Sequence, residues 1–352
     1  MVSMKLKFSW KTIFLLALGI AAFLIYLYIF NVDIPTIIAK IQRIDLSIYL
    51  LAAIFVVLDA FFFALSWRFL LNFLSIKLSV MKSFLYVWYG MFVDIAIPAE
   101  SISADISKVY LVEREQAGTS GKVFASLIAQ RLMGMGINVA SLLIGISLLL
   151  METPVSGLVL NLTLFLVIVV TFLLVLLILL CLKEKWTMKI IDAIIKFLGY
   201  VSRGRWKLTK IRGEIGNAAK MFHGSMKEFG HAPKTVLTSL FFNVLGWLLN
   251  IGIAYLVFLS MGFTVSWSII ILAHAIISAI RGVPLGVPFE TGLPEITMTT
   301  IYVVSGIRSD ISATATILTR ILTVWLRFFI GFAVQQALEI KTIAKNNKAD
   351  KL

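Results

Sequence analysis

Two short acidic segments of this sequence each begin with a proline and each precede an arginine in an apolar run. Their residues are, in order, Pro98, Glu100, Asp105 and Arg131 in the first copy, and Pro288, Glu290, Glu295 and Arg320 in the second. The second acid follows the proline by seven residues in both copies, and the arginine follows that acid by 26 and 25 residues. An unpaired ion at membrane depth costs at least about 2.5 kcal/mol. We therefore expect the acids to pair with the arginines.

Such pairs allow two roles, which the sequence leaves open. A pair can simply lock an acidic segment to the neighbouring helix. Alternatively, the arginines bind a lipid phosphate, since a guanidinium offers a planar fork that fits phosphate oxygens, and the acids position them or bind a cationic head group. Lys108, just after the first acidic segment, either contacts head groups or faces solvent. The predicted lipid-binding or translocation residues are Glu100, Asp105, Lys108, Arg131, Glu290, Glu295 and Arg320.

The elements that must position these residues are membrane helices. Of the 352 residues, 60% are hydrophobic and only 14% are charged, which is typical of an integral membrane protein. Apolar runs of about 20 residues recur, whereas the alternating pattern of membrane barrels does not. The fold class is therefore all-α and polytopic. About six full spans are predicted, at residues 12–30, 47–73, 122–150, 158–182, 235–260 and 311–338.

The two acidic segments interrupt this pattern of spans. Residues 83–97 are short for a crossing and end at Pro98, and residues 281–302 contain three prolines and three glycines that break a helix. We predict a re-entrant or broken-helix hairpin at each place. With the first hairpin re-entrant, the basic loops and both chain ends fall on the cytoplasmic side. The two copies are then inverted repeats, and their hairpin tips are expected to meet near the midplane.

The rest of the sequence indicates one transmembrane domain over residues 1–352. It includes a basic cytoplasmic interval at 183–234, where apolar residues recur with helical spacing, and a polar tail at 341–352. Asp59 lies in the middle of the second span, where a packing role is expected. The single cysteine, Cys181, excludes an intramolecular disulfide, and the three scattered histidines predict no metal site. No catalytic residues and no cofactor are predicted.

The first acidic segment resembles a motif of the lysylphosphatidylglycerol synthase transmembrane region family. That motif has a proline, small residues, an acid, a basic residue and Tyr-Leu, which match Pro98, Asp105, Lys108, Tyr110 and Leu111. The second segment, Gly286 to Glu295 with Arg320 and Trp325, is similar to the family's Pro/Gly-rich turn and following helix.

The sequence departs from these motifs in two places. The family usually has glycines where this chain has Ser103-Ala104, and its glycine-rich second turn is here Thr291-Gly292-Leu293-Pro294. The resemblance covers most of the chain. It implies a stand-alone flippase-like membrane domain, without the synthase or glycosyltransferase domain that some relatives carry.

The favoured function is translocation of a phospholipid or lipid-linked head group through a polar cavity between the two hairpins, at the cell membrane. The expected partners are membrane lipids with anionic or lipid-linked head groups, together with an enzyme that makes the lipid, and not nucleic acid. The sequence has no G-x-x-x-x-G-K-[ST] segment for ATP hydrolysis. Two alternatives stay open: a membrane-embedded transferase acting on a lipid phosphate, with Asp105 or Glu295 as general base, and a non-catalytic membrane assembly partner.

Overall fold

The computed structural model describes residues 28, 34–97, 102–152, 157–201, 208–281 and 292–349. All regular secondary structure in these ranges is helical. Five helical segments among them are long and apolar enough to cross a membrane, and they match the last five predicted spans. The predicted first span, residues 12–30, lies outside the described residues except for Tyr28. The all-α polytopic class is confirmed.

In chain order the described helices are α1 (Ile34–Ile41), α2 (Leu46–Phe73), α3 (Val80–Ala96), α4 (Ile102–Glu115), α5 (Ser120–Glu152), α6 (Gly157–Leu182), α7 (Glu184–Val201), α8 (Leu208–Gly230), α9 (Pro233–Ser260), α10 (Trp267–Arg281), α11 (Leu293–Val304), α12 (Ser309–Arg320) and α13 (Arg327–Ala349). The five spanning segments are α2, α5, α6, α9 and a last span, Ser309–Glu339. The last span consists of α12, a π-helical segment at Ile321–Leu326 and the first part of α13.

The first hairpin consists of α3 and α4, which pack against each other. Its base is closed by an ion pair of 2.8 Å between Lys82 and Glu115, and nearer the tip the Ser103 hydroxyl donates to Asp94 at 3.2 Å. With 17 and 14 residues, the two arms reach about 26 and 21 Å. Both are shorter than the ~30 Å hydrocarbon core of a bilayer. The predicted hairpin is confirmed.

The second hairpin consists of α10 and α11, with 15 and 12 residues. These arms reach about 22 and 18 Å, so each is again too short to cross a bilayer. Gly292, the N-cap residue just before α11, has φ 104°, a left-handed conformation that favours glycine. The tips of the two hairpins, residues 98–101 and 282–291, lie outside the described residues, so their predicted meeting stays a prediction.

The bases of the two hairpins lie at opposite ends of the helix bundle. The first base lies where α2 ends and α5 begins, and Lys122 donates there to the carbonyl of Leu74 at 3.3 Å. The second base lies where α5 ends, and Glu152 accepts a hydrogen bond from Ser266 at 2.6 Å, just before α10. The two hairpins therefore enter the bundle in opposite directions, as the inverted repeat predicts.

The centre of the bundle is the long pair of α2 and α9. The hydroxyls of Ser66 and Ser239 hydrogen bond across this pair at 2.7 Å. Gly252 lies against the ring of Phe55, where a Cβ atom would approach within 2.9 Å. Small residues thus let the two helices pack closely, which is a common arrangement in membrane bundles.

The basic interval forms the helices α7 and α8, and the predicted helical spacing is confirmed for α8. α8 packs against α5. Phe222 is buried on α8, whereas Ile215, a member of the same predicted apolar stripe, is 37% exposed. The helix therefore contacts the bundle through its second half.

The last span packs against the first hairpin through a close approach at Gly331. A Cβ atom at this position would lie 2.7 Å from both the Phe92 Cβ and the Trp88 carbonyl oxygen. On either side of the contact, Phe92 packs against Phe328 and Phe332, with ring centroids 5.3 and 5.8 Å away. The missing side chain thus lets α13 contact the backbone of α3.

Changing Gly331 to Ala should loosen this contact. We expect Gly331→Ala to destabilise the protein by about 1–3 kcal/mol, since neither backbone can yield without moving a helix. Gly224→Ala is the matched control, because a Cβ there meets nothing within 4 Å. Thermal unfolding in detergent measures both variants, and equal midpoints would contradict the predicted close packing.

Candidate functional site

Asp105 lies in the first turn of α4 and holds two cations. Its Oδ2 accepts a hydrogen bond from Arg131 Nη2 at 2.9 Å, and its Oδ1 lies 3.0 Å from Lys108 Nζ. Lys108 is one turn further along α4, whereas Arg131 reaches the carboxylate from α5. The predicted pairing of Asp105 with Arg131 is confirmed. We call these three residues the first charge cluster.

Lys108 is buried rather than facing solvent, since its side chain is only 6% exposed. Its ammonium group lies 5.5 and 5.6 Å from the ring centroids of Phe63 and Trp67 on α2, which is within the range of cation–π attraction. Gly90 on α3 borders its aliphatic stem, where a Cβ atom would lie 3.4 Å away. The sequence did not predict this site because the two rings come from a distant helix.

Glu295 occupies the corresponding place in the second repeat, in the first turn of α11. Its Oε1 accepts a hydrogen bond from Arg320 Nε at 2.6 Å, and its Oε2 accepts one from the backbone N–H of Gly292 at 2.7 Å. The second contact caps the start of α11, where a negative charge is also favoured by the helix dipole. The predicted pairing with Arg320 is confirmed, and the carboxylate has a structural role as well.

The two pairs lie at matching depths in the bundle. Arg131 and Arg320 each follow the first residue of their helix by 11 positions. This places each arginine about 16 Å from one end of its helix, which is close to half the ~30 Å hydrocarbon thickness. Since the two helices begin at opposite ends of the bundle, both arginines fall near its middle.

The two pairs differ in how open they are. The side chains of Glu295 and Arg320 are 5% and 9% exposed. The Asp105 side chain is 12% exposed, but that of Arg131 is 33% exposed. The second pair is therefore closed, whereas the first charge cluster presents one guanidinium to its surroundings.

Gly134 is the next residue on the Arg131 side of α5, about one helical turn further along the helix. Gly134 lies about 60° from Arg131 around α5, and a Cβ atom built there meets no described atom within 4 Å. Gly136 is equally open but points about 140° away from Arg131. A ligand that approached Arg131 along α5 from the Gly134 side would therefore meet no side chain at that position.

A third ion pair, which the sequence did not predict, joins the second span to the last. Oδ2 of Asp59 accepts hydrogen bonds from Arg327 Nη2 at 2.7 Å and from Asn250 Nδ2 at 3.0 Å. Both charged side chains are 12% exposed. Asp59 is recognisable in mid-span, but no spacing rule connects it with Arg327, which is 268 residues away. The expected packing role of Asp59 thus includes a charged partner.

Two predicted site residues, Glu100 and Glu290, lie outside the described residues. Within the described ranges, no group of three or more His, Cys, Asp or Glu side chains could hold a metal ion. The structure thus brings together Asp105, Lys108 and Arg131 in one place and Glu295 with Arg320 in another.

Five apolar spans and two short hairpins of opposite direction, each paired to a span through a mid-depth acid and arginine, define a polytopic helical membrane protein built from inverted repeats. The chain belongs to the lysylphosphatidylglycerol synthase TM region family, whose model matches residues 14–331. The resemblance of the two acidic segments to this family is thereby confirmed.

The chain is also similar to two UPF0104 membrane proteins over most of its length. A UPF0104 membrane protein of Pyrococcus horikoshii is 19% identical over 325 residues, which cover 91% of this chain and 95% of the relative. A UPF0104 membrane protein of Methanocaldococcus jannaschii is 23% identical over 347 residues, which cover 98% of this chain and the whole of the relative. No solved structure matches the chain significantly.

The different openness of the two pairs predicts different costs for removing their arginines. Arg320→Gln takes the guanidinium from a buried carboxylate, so we expect a loss of about 3–5 kcal/mol in the free energy of unfolding. Arg131→Gln leaves Asp105 paired with Lys108 and removes a side chain that is one-third exposed, so a loss on the order of 1 kcal/mol is expected.

Unfolding of both variants in the same detergent measures these losses. The double variant Glu295→Gln/Arg320→Gln is the control, and it should be more stable than Arg320→Gln alone, since no buried carboxylate remains in that pair. Similar losses for the two single variants would contradict the distinction between an open and a closed pair.

Proposed function

We propose that this protein moves a phospholipid or a lipid-linked head group between the two leaflets of a membrane. The head group passes through a polar cavity between the two hairpins, while the acyl chains stay in the bilayer. The observation that carries this proposal is the one-third exposure of Arg131 at mid-depth, beside the open space at Gly134. Charge at such a depth is costly, so an open arginine there favours a role in binding an anion.

The ligand that fits the first charge cluster best is a lipid phosphate. The single negative charge of Asp105 balances one of the two positive charges of Lys108 and Arg131, so the cluster keeps a net charge of +1. A phosphate oxygen can bind the open face of the Arg131 guanidinium, which offers several N–H donors in one plane. Lys108, whose ammonium group lies beside the rings of Phe63 and Trp67, adds positive potential to the cluster.

The Glu295–Arg320 pair serves the same function from the other hairpin. In the closed form seen here it locks α11 to the last span. Opening of this pair would expose Arg320 at the depth of Arg131, and the phosphate would then pass from one arginine to the other. Closed and open hairpins on opposite sides would provide alternating access, which inverted repeats commonly support.

The proposed location is the cell membrane, with both chain ends in the cytoplasm. The basic interval at 183–234 supports this orientation, because cytoplasmic loops carry the excess of lysine and arginine. The same positive face would contact anionic lipids and collect them near the first hairpin. The lipid itself would come from a separate enzyme.

A leaflet-resolved transport assay in proteoliposomes tests the role of Arg131. Fluorescent phosphatidylglycerol is placed in one leaflet, and its appearance in the other is measured by dithionite quenching. Arg131→Gln should lower the transport rate ~10- to 100-fold, which is the value of one charge-assisted hydrogen bond to the moving phosphate. Arg308→Gln is the control and should transport normally, because Arg308 is 76% exposed and pairs with Asp310, away from the first charge cluster and from the Glu295–Arg320 pair.

Filling the space beside Arg131 provides an independent test that removes no charge. Gly134→Leu should slow transport strongly, because the side chain would occupy the approach to the guanidinium. Gly136→Leu, two residues away on the same helix and equally open, should have little effect. Equal transport rates for the two variants would contradict the proposed path.

The same preparations distinguish the two alternatives. A chemically altered lipid would indicate a membrane-embedded transferase. Neither transport nor reaction by the wild-type protein would indicate an assembly partner, and the translocation proposal would then be overturned.

A further inference from the structure

The pair of Asp59 and Arg327 has no part in the proposed phosphate path, although it lies in the same region of the bundle. Asp59 is 13 residues from the start of α2 and 14 from its end, so it lies about 20 Å from either terminus. Both side chains of the pair are 12% exposed. Since burial of an ion pair is costly, a pair at this depth points to a role beyond packing.

Three carboxylates are buried in the described part of the chain: Asp59, Asp105 and Glu295. Asp105 contacts two cations, and Glu295 contacts one cation and the N–H group at a helix start. Asp59 contacts one cation and the neutral amide of Asn250 in the middle of a helix, away from any helix start. Its charged form therefore has the weakest support of the three.

The surroundings of Asp59 leave it room to accept a proton. The hydrogen bonds from Arg327 and Asn250 both converge on Oδ2, whereas Oδ1 faces Gly246 of α9, where a Cβ atom would lie 3.1 Å away. A protonated Asp59 can still accept the hydrogen bond from Asn250. Protonation of Asp59 therefore chiefly weakens its ionic interaction with Arg327.

Asp59 is also close to the first charge cluster along the chain. Phe63, whose ring contacts Lys108, follows Asp59 by one helical turn, about 6 Å along α2. The cation that pairs with Asp59 is Arg327 on the last span. His274 on α10 lies within electrostatic reach of Arg327 and Arg281, and Lys108 on α4 lies beside the Phe63 ring. Arg327 and Lys108 are cations, and Lys108 is itself paired with Asp105.

From this arrangement we infer that Asp59 is a proton-binding site that couples proton uptake to the binding of the lipid phosphate. The inference rests on the proposed function. One proton adds to a carboxylate oxygen of Asp59, and Arg327 stays protonated, so no other bond changes. The region then carries one additional unbalanced positive charge, which strengthens the attraction for a phosphate anion.

Linkage requires the reverse effect as well. A phosphate bound at Arg131 makes the potential around Asp59 more negative, so protonation becomes more favourable by the same coupling free energy. Proton and lipid anion thus bind together and cross without net charge. A proton gradient would then drive the lipid in the direction in which protons flow.

Proton uptake on lipid binding tests this coupling directly. The purified protein, in weakly buffered detergent solution with a pH-indicator dye, is titrated with a water-soluble short-chain phosphatidylglycerol over the range of about pH 5 to 8. The wild-type protein should take up as much as one proton per bound lipid at the best pH. Asp59→Asn should bind the lipid and take up no proton.

Two further variants test whether Asp59 itself receives the proton. Asp59→Asn/Arg327→Gln contains neither charge, so it avoids a buried guanidinium beside a neutral amide and should also lose proton uptake. His274→Gln should keep it, and loss of uptake in His274→Gln alone would assign the proton to the histidine and overturn the inference.

The outcomes separate this inference from the proposed function. Lipid binding and transport without proton uptake by the wild-type protein would overturn the coupling and leave translocation intact. If the wild-type protein neither binds nor transports lipid, both proposals fall. Proton uptake that persists in Asp59→Asn would overturn the assignment to Asp59.

Discussion

The cost of burying a charge at membrane depth constrains this structure more than any other interaction. Each buried carboxylate that the structure describes has a cationic partner from another helix, and each such contact determines where that helix can lie. The two hairpins are too short to be fixed by spanning the bilayer. Their position depends on apolar packing, such as that at Gly331, and on Asp105 and Glu295, which bind them to the arginines of the following spans. Compensation of charge thus also helps to place the hairpins.

Both halves of the inverted repeat pair a buried carboxylate with an arginine, but the surroundings of the pair differ between the halves. In both copies the acid lies in the first turn of the returning arm, and the arginine lies 11 residues into the next helix. The first copy adds Lys108 and leaves Arg131 one-third exposed, whereas the second uses a helix cap and closes completely. One architecture therefore presents an open and a closed arginine in the same conformation. A membrane path that is open on one side needs such a difference between its halves.

The sequence predicts most of the contacts that are local in the chain and misses those that are not. The spans, both hairpins and the pairs to Arg131 and Arg320 follow from apolar length, helix-breaking residues and the cost of unpaired charge. The burial of Lys108 could not be predicted, since its aromatic neighbours belong to α2. The pair of Asp59 and Arg327 could not be predicted for the same reason, because only tertiary packing brings two distant spans together. The π-helical segment before Arg327 has no recognisable signal in its sequence, ILTVWL.

The separations of four ion pairs along the chain also imply an order of assembly during synthesis. Asp105 meets its arginine 26 residues later and Glu295 meets its own 25 residues later, so each half can neutralise its acid soon after the hairpin leaves the ribosome. Arg327 is synthesised 268 residues after its partner Asp59, and Asp310 is synthesised 270 residues after its partner Lys40. These two late contacts join the beginning of the described chain to its last span. Insertion of that span is therefore the event that completes the bundle. A protein truncated before it would keep the pair of Asp105 and Arg131, whereas Glu295 and Asp59 would both lack their guanidinium partners.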